Sequence, residues 1–255
     1  MGGEMNLTLL RAGGIAGMLG AVLWSLGDVL LVGAIAAPQD YPLLLKDYAD
    51  RIPFKALNWM LPSSEPRLAV GALLPDVAVP LYLAGSWHLF QGVRPVGKWL
   101  AFATFALLAC GNAWSPLGHA AFYYPGMVYK TIMDTPIEAH GALLSLGSQF
   151  NRMLMVAWLL PVLTLACGMS LLALAIATGR TSYPRWTALL LNPVSPLLVA
   201  AVGGFVSPSP VAGWFHAAVL NIGFFLIYSV STVLLWNGVL PATGLSALQR
   251  VGDGH

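Results

Sequence analysis

The stretch GIAGMLGAVLWSLGDVLLVGAIAA, residues 14 to 37, contains a single charged side chain, Asp28. A helix needs about 20 consecutive apolar residues to cross the hydrocarbon core of a bilayer, so this stretch predicts a transmembrane helix. A carboxylate at the centre of such a helix costs roughly 2.5 to 3.5 kcal/mol on insertion scales. Asp28 is therefore expected to face the protein interior, where a partner, water or a substrate offsets that cost.

The composition of the whole chain agrees with a membrane location. Of its 255 residues 58% are hydrophobic and only 9% are charged, and the mean hydropathy is +0.75. In soluble domains about a quarter of the residues are charged. The formal net charge of +2 arises from scattered residues and not from a basic run, so membrane lipids are expected as partners and nucleic acid is not. The oligomeric state is left open.

The hydropathy pattern predicts an all-α fold, a polytopic helical membrane bundle that forms one domain over residues 1 to 255. Six transmembrane helices are expected, at residues 12–36, 68–90, 99–124, 153–177, 186–206 and 214–236. The two longer connections, 38–67 and 127–152, alternate apolar and charged residues at roughly helical spacing, which predicts short interfacial helices. In the second connection, Thr135 and Pro136 followed by Glu138 form a helix start signal.

The positions of the basic residues predict the orientation of the bundle. Six of them fall on one side, in short segments with few acidic residues: Arg11, Arg94, Lys98, Arg180, Arg185 and Arg250. The other side mixes basic with acidic side chains. By the positive-inside rule both termini are expected in the cytoplasm, with the two long connections on the outer side of the inner (plasma) membrane.

Three titratable side chains are expected to meet in the outer half of the membrane. Asp28 follows Trp24 and three glycines at steps of three or four residues, which places it on an interior helix face. At 1.5 Å per residue, Asp28 lies about 24 Å along the first span, Asp76 about 12 Å into the second and His119 about 30 Å along the third. The antiparallel course of these spans brings all three to a similar depth.

This arrangement predicts a cavity with acid–base chemistry. Two carboxylates close together in a poorly hydrated site cannot both be ionised cheaply, so one is expected to hold a proton as a general acid, with the other or a histidine as base. The predicted catalytic residues are Asp28, Asp76 and His119, and the predicted substrate-binding residues are Trp24, Asn112, Trp114, Tyr123, Arg152, His216 and Asn221. In the alternative interpretation Asp28 fixes the helix register, through a salt bridge to Arg152 or hydrogen bonds to Asn112 and Trp24.

Familiar motifs for metals, nucleotides and acyl transfer do not occur in the sequence. It has no zinc-type spacing of Cys and His, no GxGxxG after a strand, no Walker motif and no GxSxG. Neither a metal nor a cofactor is predicted. The first hypothesis is an intramembrane acid–base enzyme acting on an apolar isoprenoid or lipid. The alternatives are a proton-coupled transporter of small solutes and a non-catalytic membrane scaffold or lipid-binding protein.

Four segments carry a resemblance to a known group of sequences: WSLGDVLL at 24–31, RLAVGALLPDVAVPLYLAGSWHLF at 67–90, GHAAFYYPG at 118–126 and LNPVSP at 191–196. The chain resembles a bacterial family of small multi-spanning membrane proteins, a domain of unknown function. The resemblance covers most of the chain and implies a helical membrane bundle without an established activity. Where this chain has Pro75-Asp76 the family often has Gly-Pro, so the resemblance implies no family-wide role for Asp76.

Overall fold

The computed structural model describes residues 6–196 and 210–239, and all the regular secondary structure in these ranges is helical. We number the α-helices in chain order: α1 Leu7–Val32, α2 Glu65–Val93, α3 Lys98–Ala120, α4 Tyr123–Thr131, α5 Ile137–Ala177 and α6 Pro210–Leu234. A π-helical turn, Leu43–Asp47, and five short 3₁₀ segments join them: Ala49–Arg51, Lys55–Trp59, Arg94–Val96, Ile132–Asp134 and Arg185–Leu189.

In the described ranges, five helical stretches are long and apolar enough to cross a membrane: Leu7–Val32, Glu65–Val96, Lys98–Asp134, Ile137–Ala177 and Val211–Leu234. They agree with five of the six predicted spans and with an all-helical membrane bundle. The described part of the remaining predicted span, 186–206, differs from the prediction. It consists of the 3₁₀ segment Arg185–Leu189 followed by turns up to a short helical start at residues 195 and 196. Pro193 has no backbone N–H to continue a helix, and the Asn192 side chain donates to the carbonyls of Ala188 and Leu189. Residues 197–206 of this prediction lie outside the described residues.

Helix α5 is much longer than the predicted span 153–177. It begins at Ile137, as the start signal at Thr135 and Pro136 predicts, and continues for 41 residues, a length of about 62 Å. The prediction that the connection 127–152 carries a separate interfacial helix is therefore wrong for residues 137–152. No proline occurs between Ile137 and Pro161, so nothing in the backbone ends the helix before the membrane-spanning part begins.

Helix α1 packs closely against both α2 and α6 through the predicted glycine face. A Cβ atom on Gly17 would lie 2.6 Å from the Tyr228 ring of α6, and one on Gly27 would lie 2.4 Å from Pro75 of α2. Only a residue without a side chain permits such an approach. The interior position predicted for this face of α1 is confirmed, and Trp24 on the same face is only 6% exposed.

Residues 41–63, which we call the cap, fold over the end of the bundle where α1 ends and α2 begins. Two backbone hydrogen bonds tie the cap to the chain after α1, from Ala34 N to Trp59 O at 3.2 Å and from Ala36 N to Asn58 O at 2.9 Å. Leu44, Phe54, Leu57 and Met60 of the cap are buried in a cluster that also contains residues of α4 and α5. The short helices predicted in the connection 38–67 are thus present as one π-helical and two 3₁₀ turns.

Before the undescribed segment 197–209 the chain runs from the end of the bundle farthest from the cap to Pro196, which packs against the middle of α6: a Cβ atom on Gly223 would lie 2.8 Å from Pro196 Cα. Ser182 N donates to Gly92 O at 2.9 Å at the end farthest from the cap. At the capped end, a Cβ atom on Gly213 would lie 2.9 Å from Gly33 O. The sixth crossing stays a prediction.

Candidate functional site

A cavity of about 270 Å³ occupies the capped half of the bundle. Helices α1, α2, α3, α5 and α6 all contribute to its wall, and Ala56 and Trp59 of the cap line it as well. Most of the lining is apolar, and the polar side chains among the described lining residues are Asp28, Tyr82, Asn112, Ser115, His119, His216 and Asn221. The volume lies just below the range of roughly 300 to 1,000 Å³ that is typical of small-molecule sites.

Asp28 is held by a hydrogen-bonded chain that crosses three helices. Its Oδ2 atom accepts from Nδ2 of Asn221 at 2.7 Å. The Oδ1 atom of the same amide accepts from the Tyr82 hydroxyl at 2.6 Å. The tyrosine thereby fixes which way the Asn221 amide faces, and the amide N–H is directed at the carboxylate.

His119 approaches the other oxygen of the same carboxylate. Its Nδ1 atom lies 3.4 Å from Asp28 Oδ1, and its Nε2 atom lies 3.0 Å from the backbone oxygen of Gly71. A carbonyl only accepts hydrogen bonds, so Nε2 carries the hydrogen and Nδ1 of the neutral ring is a bare acceptor. A bare nitrogen and an ionised carboxylate would repel each other. The contact is favourable only when one proton lies between them, which makes Asp28 and His119 a candidate acid–base pair.

Aromatic rings fix this pair in place. The ring of Trp24 packs edge-on against His119 with a centroid distance of 5.3 Å and also contacts Tyr82 at 5.8 Å. On its far side Tyr82 contacts Phe224 of α6 at 5.7 Å. The side chains of Asp28 and His119 are 14% and 9% exposed, so the acid–base pair faces the cavity from a largely buried position.

The backbone around Gly71 explains how three helices meet at this point. A Cβ atom there would lie 2.7 Å from Leu31 N, so only glycine lets α2 approach the end of α1 closely enough to place its carbonyl beside His119. Near the same end of α1, Arg67 donates to the carbonyls of Leu30 at 3.2 Å and Val29 at 3.1 Å. A cation at a helix C-terminus is favourable, and here it also satisfies two carbonyls close to Asp28.

Six of the ten predicted site residues line the cavity: Trp24, Asp28, Asn112, His119, His216 and Asn221. Asn112 donates to the Ser86 hydroxyl at 3.0 Å rather than to Asp28. The carboxylate is instead bound by Asn221. The alternative in which Asp28 is hydrogen-bonded to Asn112 and Trp24 therefore had the right kind of interaction and the wrong partners.

Asp76 does not line the cavity, contrary to expectation. The buried face of this part of α2 carries Gly71, Pro75, Ala78 and Tyr82, and Asp76 is turned by about 100° from Pro75, to the edge of that face. Its side chain is half-buried, with Oδ1 buried and without a hydrogen-bond partner among the described residues. The predicted pair of carboxylates is replaced by a carboxylate and an imidazole.

Three predicted substrate-binding residues also lie outside the cavity. Trp114 is 45% exposed because it follows the buried Asn112 by two positions, about 200° around the helix. Tyr123 donates to Glu65 at 2.9 Å on the exposed surface of the capped end. Arg152 is exposed next to the buried Asn151, so its predicted salt bridge to Asp28 is wrong.

Tyr82 is the residue of the hydrogen-bonded chain at Asp28 that the sequence did not predict. It is 2% exposed, and it lies at helical spacing from Ala78 and Ser86 on the buried face of α2. A tyrosine in the middle of an apolar span requires a partner for its hydroxyl, and that signal was present in the sequence. Trp158, Pro161 and Phe224 of the wall gave no comparable signal, since apolar residues are expected anywhere in a span.

No group of three or more His, Cys, Asp or Glu side chains in the described part of the chain is placed to hold a metal ion.

Comparison with known proteins gives a family and no activity. The model of a family of unknown function, DUF6796, matches residues 5–237, so the chain belongs to that family. No curated protein and no solved structure matches the chain.

Proposed function

Starting from membership of a family without an assigned activity, we propose that this chain is an intramembrane acid–base enzyme that acts on an apolar substrate of isoprenoid or lipid type. One observation carries the proposal: Asp28 and His119, with Oδ1 and Nδ1 3.4 Å apart, face a largely apolar cavity within the helical bundle. A general acid needs a positioned proton and a conjugate base that is stable in the same place. The pair supplies both.

The chemistry that suits this cavity is a double-bond shift. The shared proton is added to one carbon of the double bond, which leaves a carbocation on the other carbon. This carbocation lies among aromatic rings, whose faces attract cations. The pair then takes a proton from a neighbouring carbon, and the double bond re-forms one position along the chain. Atoms and charge balance without a co-reactant, and the pair returns to its starting state.

The extent of the cavity favours an enzyme over a transporter or a scaffold. The lining runs from Trp59 of the cap to Tyr82 and Phe224 in the middle of the bundle. Beyond them the interior is filled by buried side chains, including Tyr228, which is 1% exposed, and Leu10, which is 0% exposed. A transporter needs access to both ends, and a scaffold needs no cavity beside a buried carboxylate. A cavity that ends at Tyr82 and Phe224 within the described bundle, beside the Asp28 and His119 pair, supports the first hypothesis.

We further propose that the bundle lies in the inner membrane with the cap on the outer side and both termini in the cytoplasm. Lys46→Cys, in a background with Cys110 and Cys167 replaced by serine, should react with a membrane-impermeant maleimide in intact spheroplasts. Arg180→Cys should react only after the membrane is permeabilised. The reverse pattern would overturn this orientation.

A deuterium experiment tests the enzymatic proposal while the substrate is still unidentified. The purified protein is reconstituted into nanodiscs made from a total bacterial lipid extract and incubated in D₂O. Mass spectrometry of the extracted neutral lipids then reports deuterium at carbon positions that do not exchange spontaneously. The wild type is expected to label an apolar species, because each cycle adds a proton derived from solvent.

Matched variants make this result specific. Asp28→Asn and His119→Gln are expected to abolish the labelling, because each removes one half of the acid–base pair. Asp76→Asn is the control, since it removes an intramembrane carboxylate outside the cavity. Equal labelling by wild type and Asp28→Asn would refute the enzyme. Proton uptake by sealed proteoliposomes on addition of a solute, lost in Asp28→Asn, would instead indicate the transporter.

A further inference from the structure

The ionisable side chains of the cavity determine which ligands it can accept. The described lining residues include Asp28, Tyr82 and two histidines, and they include neither lysine nor arginine. A carboxylate, phosphate or diphosphate head would therefore enter a largely apolar space without a permanent cation to pair with, and next to an acidic residue. Burial of an unpaired charge is strongly unfavourable. Anionic lipids and isoprenoid diphosphates are accordingly poor ligands.

Aromatic side chains surround the same space. Six line the cavity, from α1, the cap, α2, the α3–α4 junction, α5 and α6: Trp24, Trp59, Tyr82, Phe122, Trp158 and Phe224. The faces of such rings attract ammonium groups, most strongly when the site is desolvated. The wall therefore combines one carboxylate with several π faces, which is a favourable environment for a cation.

The acid–base pair offers two acceptor atoms side by side. When its shared proton is removed, Asp28 Oδ1 and His119 Nδ1 are both bare and stand 3.4 Å apart. A hydroxyl group has one hydrogen to donate, but an ammonium group has up to three and can bind both atoms at once. A neutral amine that enters the cavity takes the shared proton: an N–H bond forms, the proton leaves the pair, and the ammonium ion lies against an ionised Asp28 and a neutral His119.

We propose that the cavity selects an apolar molecule with a basic amine head, held as an ammonium ion between Asp28 and His119, with its hydrocarbon part along Leu31, Val162 and Leu165. This inference rests on the cavity proposed above being a ligand site. Because the bound ammonium ion holds the proton that the double-bond shift uses, such an amine occupies the site as an inhibitor of that shift and not as its substrate. A volume of about 270 Å³ suits a molecule with a short aliphatic or single-ring body.

Three probes of equal chain length test the inference: octylamine, octanol and octanoate. Saturable binding of each radiolabelled probe is measured on the full chain in nanodiscs of neutral phosphatidylcholine and corrected with empty nanodiscs. Octylamine is expected to bind about tenfold more tightly than octanol, as charge-assisted hydrogen bonds are roughly twice as strong as neutral ones. Octanoate is expected to show no saturable binding.

Two carboxylate variants and one filled cavity complete the design. Asp28→Asn should weaken octylamine binding about tenfold and change octanol binding by less than about twofold, because only the charge is removed. Asp76→Asn should bind all three probes as the wild type does. Ala217→Trp, which places a large ring in the cavity, should abolish saturable binding.

Several outcomes would overturn the inference. These are octanoate binding as tightly as octylamine, octylamine affinity unchanged in Asp28→Asn, or equal loss in both carboxylate variants. Octanol binding tightly at a site blocked by Ala217→Trp would refute the amine and leave the cavity as a ligand site. Octylamine binding as expected without any deuterium labelling of lipids would support this inference and refute the enzyme, so the two proposals fail separately.

Discussion

Replacement of Asp28 by asparagine is expected to leave the folded protein about as stable as the wild type, whereas replacement by alanine destabilises it. Asparagine has nearly the shape of aspartate. Its side-chain oxygen can accept the hydrogen bond from Asn221, and its amide N–H can donate to the bare Nδ1 atom of His119. The contact with His119 then needs no shared proton, and the uncharged side chain is easier to keep inside a membrane.

The magnitudes follow from the contacts that each variant keeps. Alanine leaves the Asn221 N–H and the His119 nitrogen without partners, and each unsatisfied buried group costs about 1 to 3 kcal/mol. Interhelical hydrogen bonds in membrane proteins average only about 0.6 kcal/mol, and this value is the lower limit for the cost of each lost contact. For the two contacts together, the expected loss for Asp28→Ala is therefore about 1 to 6 kcal/mol. Asp28→Asn keeps both contacts and is expected within about 1 kcal/mol of the wild type.

Reversible unfolding in mixed micelles, with an increasing fraction of a denaturing detergent, measures both free energies. Asp76→Asn serves as the control, because the wild-type side chain makes no hydrogen bond through its buried Oδ1 atom in the described structure. If Asp28→Asn proved as destabilising as Asp28→Ala, the negative charge itself would be a structural requirement. The pair would then be a fixed ion pair and not a proton-sharing one, which would refute the reasoning.

Three further predictions concern the support of the site, and the same unfolding assay checks each. Tyr82→Phe removes the donor to Asn221, at 2.6 Å, and should destabilise the protein by about 1 kcal/mol and release the orientation of that amide; an unchanged stability would contradict this. Arg67→Met removes two hydrogen bonds to carbonyls near the end of α1 and should cost about 1 to 2 kcal/mol, and a loss below about 0.3 kcal/mol would show that water replaces the guanidinium. Gly71→Ala places a Cβ atom 2.7 Å from a backbone nitrogen of α1 and should destabilise the protein by about 1 to 3 kcal/mol. In the control Gly141→Ala the added Cβ atom meets nothing within 4 Å and should stabilise α5 by up to about 1 kcal/mol. Equal effects of the two substitutions would contradict the close packing at Gly71.

The parts of the site that could be predicted are those set by periodicity and by depth. The spacing of Trp24 and Asp28 on α1 placed both on the interior face, and counting residues brought His119 to the same depth. Asp76 was misplaced because depth alone does not determine the direction of a side chain. One position along a helix turns it by about 100°, enough to move a carboxylate from a cavity wall to the edge of a buried face.

The length of α5 could not be predicted from hydropathy. A span criterion finds where a helix is apolar enough for the membrane, and it gives no signal for where the helix ends. The polar turn around Asn151 and Arg152 marked the apparent limit of the span, yet neither residue interrupts backbone hydrogen bonding. Only the start signal at Thr135 and Pro136 pointed to the real beginning of the helix.

Helix α5 is continuous from Ile137 to Ala177, so a bend at one residue in the cavity wall would move the whole part of the helix on its N-terminal side. Pro161, which lines the cavity, lacks the backbone N–H that would complete the helical hydrogen bonding there. From this residue to Ile137 the helix measures about 36 Å, so a bend of only about 5° at Pro161 would move its far end by about 3 Å. His140, near the N-terminus of α5, is hydrogen-bonded to Tyr48 of the cap at 3.0 Å. A small displacement of the cap would thus be transmitted mechanically to the cavity wall, and a ligand that pushes on that wall would move the cap in return.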